Sequence, residues 1–392
     1  MLDSSSLPAP GVLAHVVDAH CHPTDAALDA ALMSALPHRI CAMATRASDQ
    51  ALVRDLAARY PDAVLPCFGY HPWFAHWISL EPEPPSKEAH YALLFLPPSS
   101  APHTPAQSAA FARLLPFLPP PTPIATVLAS LRADLAAHPS AMLGEVGIDR
   151  ACRVPYAPPA EPPYASADDE KRELSPFTIP LEHQVAIFEA QLALAVELRR
   201  NVSVHSVKAQ QATVELFARM KERYGDKWLD ISVDMHSCGL SAQTWLQLRN
   251  QHPNLFLSLS TAINTRSVAH KSLIQGCSPY RILSESDFHD VRFSAPYTWD
   301  MVVRIAEEKG WWIESTEEEV LSGRKAGEES EGEWGVVRRL EENWKSFVRG
   351  GNRVVPGAKK KRDKKGLLLE ESEEEDGPRD ENETKADVPA RR

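Results

Sequence analysis

The sequence predicts an α/β protein, a closed (β/α)8 barrel of the TIM type. Three observations predict it. Eight short apolar runs recur along the chain, amphipathic helical stretches fill most gaps between them, and six of the eight runs end in a histidine or a carboxylate. Near-continuous apolar runs of this length fit strands of a parallel sheet buried on both faces. Strands alternating with helices fit βαβ units, and eight such units favour a closed barrel. An open doubly wound sheet is the alternative that periodicity leaves standing.

The runs are residues 16–18, 40–44, 63–68, 141–145, 202–205, 229–233, 255–259 and 281–284. Helical patterns cover 25–32, 49–60, 126–138, 181–200, 210–224, 242–251 and 267–275. The 181–200 pattern is the strongest, with Val185, Phe188, Leu192 and Val196 on one face at helical spacing. Two stretches break the repeat. Residues 81–125 are dense in proline, including Pro119-Pro120-Pro121 and Pro123, and 156–180 are rich in Pro, Ala, Glu and Asp. Both are expected as loops inserted on one barrel face, either a lid or plain decoration.

After Pro356 the character changes. A basic block, Lys359-Lys360-Lys361-Arg362-Asp363-Lys364-Lys365, precedes an acidic block at 370–376, without apolar periodicity. Such blocks are usually disordered. The expected organisation is a barrel over 1–355 and a disordered charged tail over 356–392. The basic block reads as a nuclear localisation signal or nucleic-acid contact, against the plainer reading of a solvated tail.

The 392 residues carry a net charge of -11, which argues against broad electrostatic wrapping of nucleic acid and leaves a local basic groove open. The 43% hydrophobic content suffices for a sizeable core. Six cysteines with no C-x-x-C pair read as reduced thiols of an intracellular protein, nuclear or cytoplasmic. No signal peptide is expected, and no apolar run reaches the roughly 18 residues of a membrane span.

Active residues of a barrel enzyme come from the C-terminal ends of its strands. Run one ends in Asp18, His20 and His22, and run three leads into Gly69-Tyr70-His71-Pro72. Run four ends in Glu145, run five in His205, run six in Asp234 and His236, and run eight in Glu285 and Asp287. His20 and His22 alternate along a strand, so both rings point to one face while Cys21 packs on the other. Two adjacent imidazoles suit Zn²⁺, and the carboxylates of Glu145 and Asp287 widen the choice to Mg²⁺ or Mn²⁺. His205 and His236 can bind a second ion, with Glu145 bridging. Two ions about 3.5–4 Å apart would stabilise the attacking and leaving oxygens of a hydrolysis. Asp287 is the candidate to orient or deprotonate the attacking water, with Glu145 the other catalytic carboxylate. Glu285 and Asp18 read as partners that orient ligands. His71 alone reads as structural or substrate-contacting. Cys238 lies just beyond His236 with no nucleophile–base pairing.

These residues resemble the TatD-related metal-dependent hydrolases, a branch of the amidohydrolase-like barrels. The resemblance covers roughly 16–311. It rests on Asp18-Ala19-His20-Cys21-His22, Gly69-Tyr70-His71-Pro72, Gly144-Glu145-Val146-Gly147-Ile148-Asp149, the helical stretch leading to His205, then His236 and Glu285-Ser286-Asp287. It implies a divalent metal pair and, in several members, a 3′-to-5′ deoxyribonuclease activity. By motif match His20, His22, Glu145 and Asp287 hold one metal, and Glu145, His205 and His236 the other. Where the family usually has Arg two residues after the fifth-strand His, this chain has Val207 with Lys208 next. Arg grips phosphate bidentately, which Val does not and Lys does only as a point charge. The sixth-strand turn reads Ser237-Cys238-Gly239, the family's Thr between Glu and Asp is Ser286, and its following Pro is absent from Phe288-His289. The insertions and tail resemble a divergent fungal branch described as partners of cell-cycle machinery.

The first expectation is therefore a phosphodiesterase or DNA exonuclease, with DNA or nucleotides as partners and Lys208 as a substrate contact. A metal-dependent amide or ester hydrolase is the alternative, motivated by Val207. A third reading is a protein-interaction scaffold acting through the inserts or tail.

Overall fold

The computed structural model describes residues 7–97, 104–164, 172–266, 269–323 and 334–353. Eight parallel strands lie side by side in chain order: β1 (Val17–Cys21), β2 (Arg39–Met43), β3 (Val64–Phe68), β4 (Met142–Asp149), β5 (Val202–Val207), β6 (Val233–Met235), β7 (Leu255–Ser260) and β8 (Ile282–Glu285). The ends of β8 and β1 meet across the seam. Asp287 N–H donates to His20 O and His22 N–H to Phe288 O, both at 2.9 Å. The sheet is a nearly closed barrel, so the open doubly wound alternative falls.

Helices fill the crossovers: α1 (Ala47–Arg59), α2 (Ile124–Ala137), α3 (Leu181–Leu198), α4 (Gln210–Tyr224), α5 (Ala242–Gln251), α6 (Ala269–Gly276) and α7 (Val291–Lys309). The amphipathic logic is plain in α4, where Thr213, Leu216, Phe217 and Met220 are buried at helical spacing. Asp49 starts α1 by accepting the N–H groups of Thr45 and Arg46. α3 does more than pack. Gln184 accepts Asp149 N–H at 2.8 Å and donates to Asp149 O at 3.0 Å, while Gln191 brackets Tyr70 in the same two-way fashion. Two buried amides thus tie the C-terminal ends of β3 and β4 to one helix.

The barrel interior is filled by Ala19, Cys41, Met43, Cys67, Met142, Phe256 and Leu283. Its N-terminal end is closed by α8 (Val336–Arg349), whose Trp344 and Phe347 join that cluster. Asn343 donates to Pro279 O and Ile282 O, both at 2.9 Å, and Asn201 donates to Phe347 O at 2.9 Å. All six cysteines are free thiols, five of them buried. Among the described residues no helix is long and apolar enough to cross a membrane.

Several expectations need correction. The first insert is not a loop. It carries helices Lys87–Phe95, capped by Ser86, and Pro105–Leu114, capped by Thr104. Pro105 sits at the first helical position, where a missing N–H costs nothing, so here proline marks a start. In the second insert Leu174–Thr178 pairs antiparallel with Arg153–Pro155. The sixth apolar run, 229–233, is strand only at its end: Asp226–Leu229 is a helical turn and the strand begins at Val233. Trp228 makes that turn apolar, buried under Phe217 and His252. Helices α7 and α8 were not anticipated, and Pro296 inside α7 disguises it as a break. The charged blocks beyond 353 lie outside the described residues.

His252 offers a test of core electrostatics. Trp228 Nε1–H donates to His252 Nδ1 at 3.2 Å, so that nitrogen must stay unprotonated. Burial, then the Lys221 charge, push His252 down to about 4. The unfolded ring titrates near ~6.5, so its stabilising share is complete above that pH and is lost as pH falls towards the folded value. Between pH 7 and 5 the loss is about 2 kcal/mol. His252→Gln keeps an acceptor for the indole and removes the titration. Its melting temperature should therefore fall less than that of the wild type between those pH values; equal falls would show that the ring titrates normally.

Candidate metal centre

Glu145, on β4 in the middle of the barrel mouth, is the hub. Its side chain is buried, and imidazoles from four other strand ends or the loops just after them converge on its two oxygens. Oε1 lies 2.7 Å from His236 Nε2, 2.8 Å from His205 Nδ1 and 3.1 Å from His71 Nε2. Oε2 lies 3.3 Å from His22 Nε2 and 3.5 Å from His20 Nε2. Asp287 Oδ1 closes the second side, 3.7 Å from His22 Nε2 and 3.9 Å from His20 Nε2. The alternation expected of β1 holds: Cys21 is buried in the outer core while His20 turns inward. Close approach of β4 and β5 depends on Gly147, at φ 151°, where a Cβ would lie 1.9 Å from His205 O.

The far sides of His20 and His205 are also held. His20 Nδ1 is 2.8 Å from Ser203 Oγ, and His205 Nε2 is 3.4 Å from Asp149 Oδ2. Asp149 is itself fixed by Trp73 Nε1–H at 2.6 Å and by the N–H groups of Ala151 and Cys152. His71 differs. Its Nδ1 accepts Trp73 N–H at 3.1 Å, which puts the ring proton of the neutral form on Nε2, facing Glu145. His71 is buried and donates to the hub carboxylate, whereas a ligand would need a free lone pair there.

Asp287 is positioned by a serine network. Ser237 Oγ touches Asp287 Oδ2 at 2.9 Å and Glu285 Oε1 at 2.8 Å, and Ser237 N–H donates to the same Glu285 oxygen at 2.7 Å. Asp287 Oδ1 is thereby left facing the histidines. Asp18 lies beneath, accepting Ser286 N–H at 2.8 Å and the hydroxyls of Ser286 and Ser294, both at 2.6 Å. Burial, eased by those bonds, pushes Asp18 up to about 6. Lys208 is exposed beyond β5 with φ 51°, outside the cluster, and Val207 beside it is 36% exposed.

The donor set suits a divalent cation. Burial pushes His20 down to about 3 and His71 to about 4, the neutral state. Burial also opposes charge on His22, His205 and His236, yet the carboxylates around them outweigh it and pull all three up, His22 to about 9. The cluster draws positive charge to one spot, and a cation supplies it without protons. Among the described residues, three sets have ligand atoms close enough to share an ion: His20, His22 and Glu145; His20, His236 and Asp287; His71, Glu145 and His205.

Sequence reasoning did not single out Ser203, Ser237, Ser258 or the role of Asp149. Ser203 was within reach, since it lies two residues before His205 on the same face of β5. Ser258, bonded to Asp234 at 2.6 Å and Glu285 at 2.5 Å, follows the same alternation on β7.

A barrel with buried imidazoles and carboxylates at its C-terminal mouth defines a metal-dependent hydrolase. The chain belongs to the TatD related DNase family, whose model matches residues 17–323. It is 29% identical over 342 residues to Cut9-interacting protein scn1 of Schizosaccharomyces pombe, covering 79% of this chain and 98% of that protein. It is 25% identical over 285 residues to the uncharacterized deoxyribonuclease YMR262W of Saccharomyces cerevisiae, covering 70% of this chain and 83% of that one. Among solved structures, YjjV, a TatD homolog from Escherichia coli K12, superposes with a TM-score of 0.48 at 15% identity, over 86% of this chain and 98% of that chain. The strand order, not that score, carries the fold.

Two substitutions test the support around the rings. Asp18→Ala leaves the buried N–H and hydroxyl of Ser286 unpaired, while Ser294 keeps His38 Nε2, and should cost about 2 kcal/mol in denaturant unfolding; an unchanged midpoint would show that Asp18 pins nothing. Asp149→Ala frees the far side of His205 and should weaken metal affinity about 10–100-fold by competition with a chelator. Wild-type affinity would show that Asp149 does not orient the ring.

Proposed function

We propose that the protein hydrolyses phosphodiester bonds, with DNA or nucleotides as substrate, at a pair of divalent ions bridged by Glu145. The observation that carries this reading is the division of Glu145: one oxygen faces His20 and His22, the other His205 and His236. On it, His20, His22, Glu145 and Asp287 would hold one ion, and Glu145, His205 and His236 the other. Two such ions would polarise the phosphoryl group and stabilise the attacking and leaving oxygens. Asp287 accepts the proton of the attacking water at Oδ1, while Ser237 holds Oδ2. Ser203 and Asp149 keep the His20 and His205 rings turned inward. His71 steadies Glu145 by donating to Oε1. The deoxyribonuclease family supports the phosphodiester class.

One observation favours a second role. The relative from S. pombe bears a name that makes it an interactor of another protein. A protein partner for this chain, in the nucleus or the cytoplasm, is compatible with hydrolysis, since the inserts and the charged tail are separate from the buried centre in sequence.

The deciding measurement pairs metal analysis with turnover. As-purified protein should carry Mg²⁺, Mn²⁺ or Zn²⁺ and shorten single-stranded DNA. The double change His20→Ala with His22→Ala should abolish both. Activity surviving that change would refute the reading, and a metal-free wild type without turnover would favour the scaffold.

A further inference from the structure

A cleft of about 1250 Å³ opens beside the centre, with Asp25 and Asp149 among its lining residues. That is larger than a typical small-molecule pocket of roughly 300–1,000 Å³. Both inserts contribute to its walls, Phe117 from the first and Tyr164 from the second. Neither Val207 nor Lys208 lines it. Four arginines line it, Arg46, Arg153, Arg172 and Arg292, and of these Arg46 follows β2 and precedes α1.

Arg46 is held in an unusual way. Its guanidinium carbon lies 3.7 Å from the ring centroid of Tyr164 and 4.1 Å from that of Phe74. Tyr164 is anchored in turn, its hydroxyl 2.6 Å from Ser48 Oγ. The Arg46 side chain is only 11% exposed. Nε donates weakly to Thr45 Oγ1 at 3.4 Å. The nearest carboxylate, Asp49, lies 3.8 Å from Nε, beyond hydrogen-bond reach, and already accepts from Thr45 and from the Arg46 N–H. The two terminal nitrogens therefore have no protein acceptor among the described residues. The other arginines of the cleft are engaged: Arg292 on Asp290, Arg153 on the carbonyls of Leu174 and Ser175, and Arg172 in an interaction of its own.

Two rings against a guanidinium fix its plane and leave its N–H edge for an acceptor in that plane. The ordering cost is met before any ligand arrives. A planar fork matches two oxygens of one phosphate. The charges of both Arg46 and His22 act on Asp25, which places the fork within electrostatic reach of the centre's edge. Trp73, 49% exposed and lining the same cleft, offers a face on which a base can stack.

We propose that Arg46, clamped between Phe74 and Tyr164, is the phosphate-gripping, specificity-determining residue of this site. The proposal rests on the phosphodiester reading. It makes the substrate an anionic phosphate ester, held by a cation from the β2 end of the barrel. Neutral esters lack the oxygens that would engage the fork.

The test has a binding arm and a kinetic arm. Inorganic phosphate is titrated into as-purified wild type, Arg46→Met, Arg46→Lys and Arg292→Met, followed by tryptophan fluorescence, since Trp73 and Trp77 line the cleft. Arg46→Met should weaken the phosphate Kd by about tenfold or more, as loss of a bidentate charged contact does. Arg46→Lys should recover only part of it, and Arg292→Met should stay within about twofold. In the kinetic arm, Arg46→Met should raise KM for bis(p-nitrophenyl) phosphate and leave p-nitrophenyl acetate turnover unchanged. The proposal is overturned if wild type binds no phosphate, if Arg46→Met binds it as wild type does, or if Arg292→Met costs as much. Should Arg46→Met fail to fold, Arg46→Lys decides: full wild-type affinity there would also overturn it. Turnover of the neutral ester alone by wild type would sink the phosphodiester reading, while the phosphate titration would still decide whether Arg46 is an anion site.

Discussion

A buried carboxylate surrounded by imidazoles is the constraint on which this structure depends. Glu145 is buried away from bulk solvent, so compensation must come from the barrel itself. That demand reaches outward through the chain. β4 must lie close to β5, which requires a glycine at 147. The ends of β3 and β4 must hold still, which Gln184 and Gln191 accomplish from α3. The seam between β8 and β1 must be tight enough for Asp287 to face His20 and His22.

Around that hub lies a layer of small polar groups whose work is orientation. Ser203, Asp149 and the backbone of Trp73 each hold the outer nitrogen of one ring. Ser237 ties Glu285 to Asp287, and Asp18 ties Ser286 to the start of the barrel. The inner nitrogens of His20, His205 and His71 are thereby aimed at the hub by the protein itself. Preorganisation of this kind keeps the cost of ordering side chains out of the binding step.

Much of this was legible in the sequence, and the reason is geometric. Parallel strands buried on both faces announce themselves as apolar runs, and barrel chemistry gathers where those runs end, so His20, His22, Glu145, His205, His236 and Asp287 stood out together. The orienting layer did not. A serine within an apolar strand reads as a small filler, and the partner of Ser203 lies 183 residues away. Ser237 was noted only as a departure from the family turn, although its hydroxyl joins two carboxylates. Proline misled in the first insert, where Pro105 starts a helix, because its effect depends on position within a helix. Arg46 could not have been recognised, because its setting is supplied by Tyr164, from an insert whose path over the barrel no local pattern encodes.

The helix at the barrel's N-terminal end has a further consequence. The match to the family model stops at residue 323, yet α8 begins at Val336 and puts Trp344 and Phe347 into the interior. The end of the family match is thus not the end of the fold. A chain shortened to its recognisable family portion would keep every candidate ligand and lose the stopper of its own barrel, leaving Phe256 and Leu283 open to water from below. Catalytic inheritance and mechanical completeness are separable here, with the second written in a segment that motif comparison passes over.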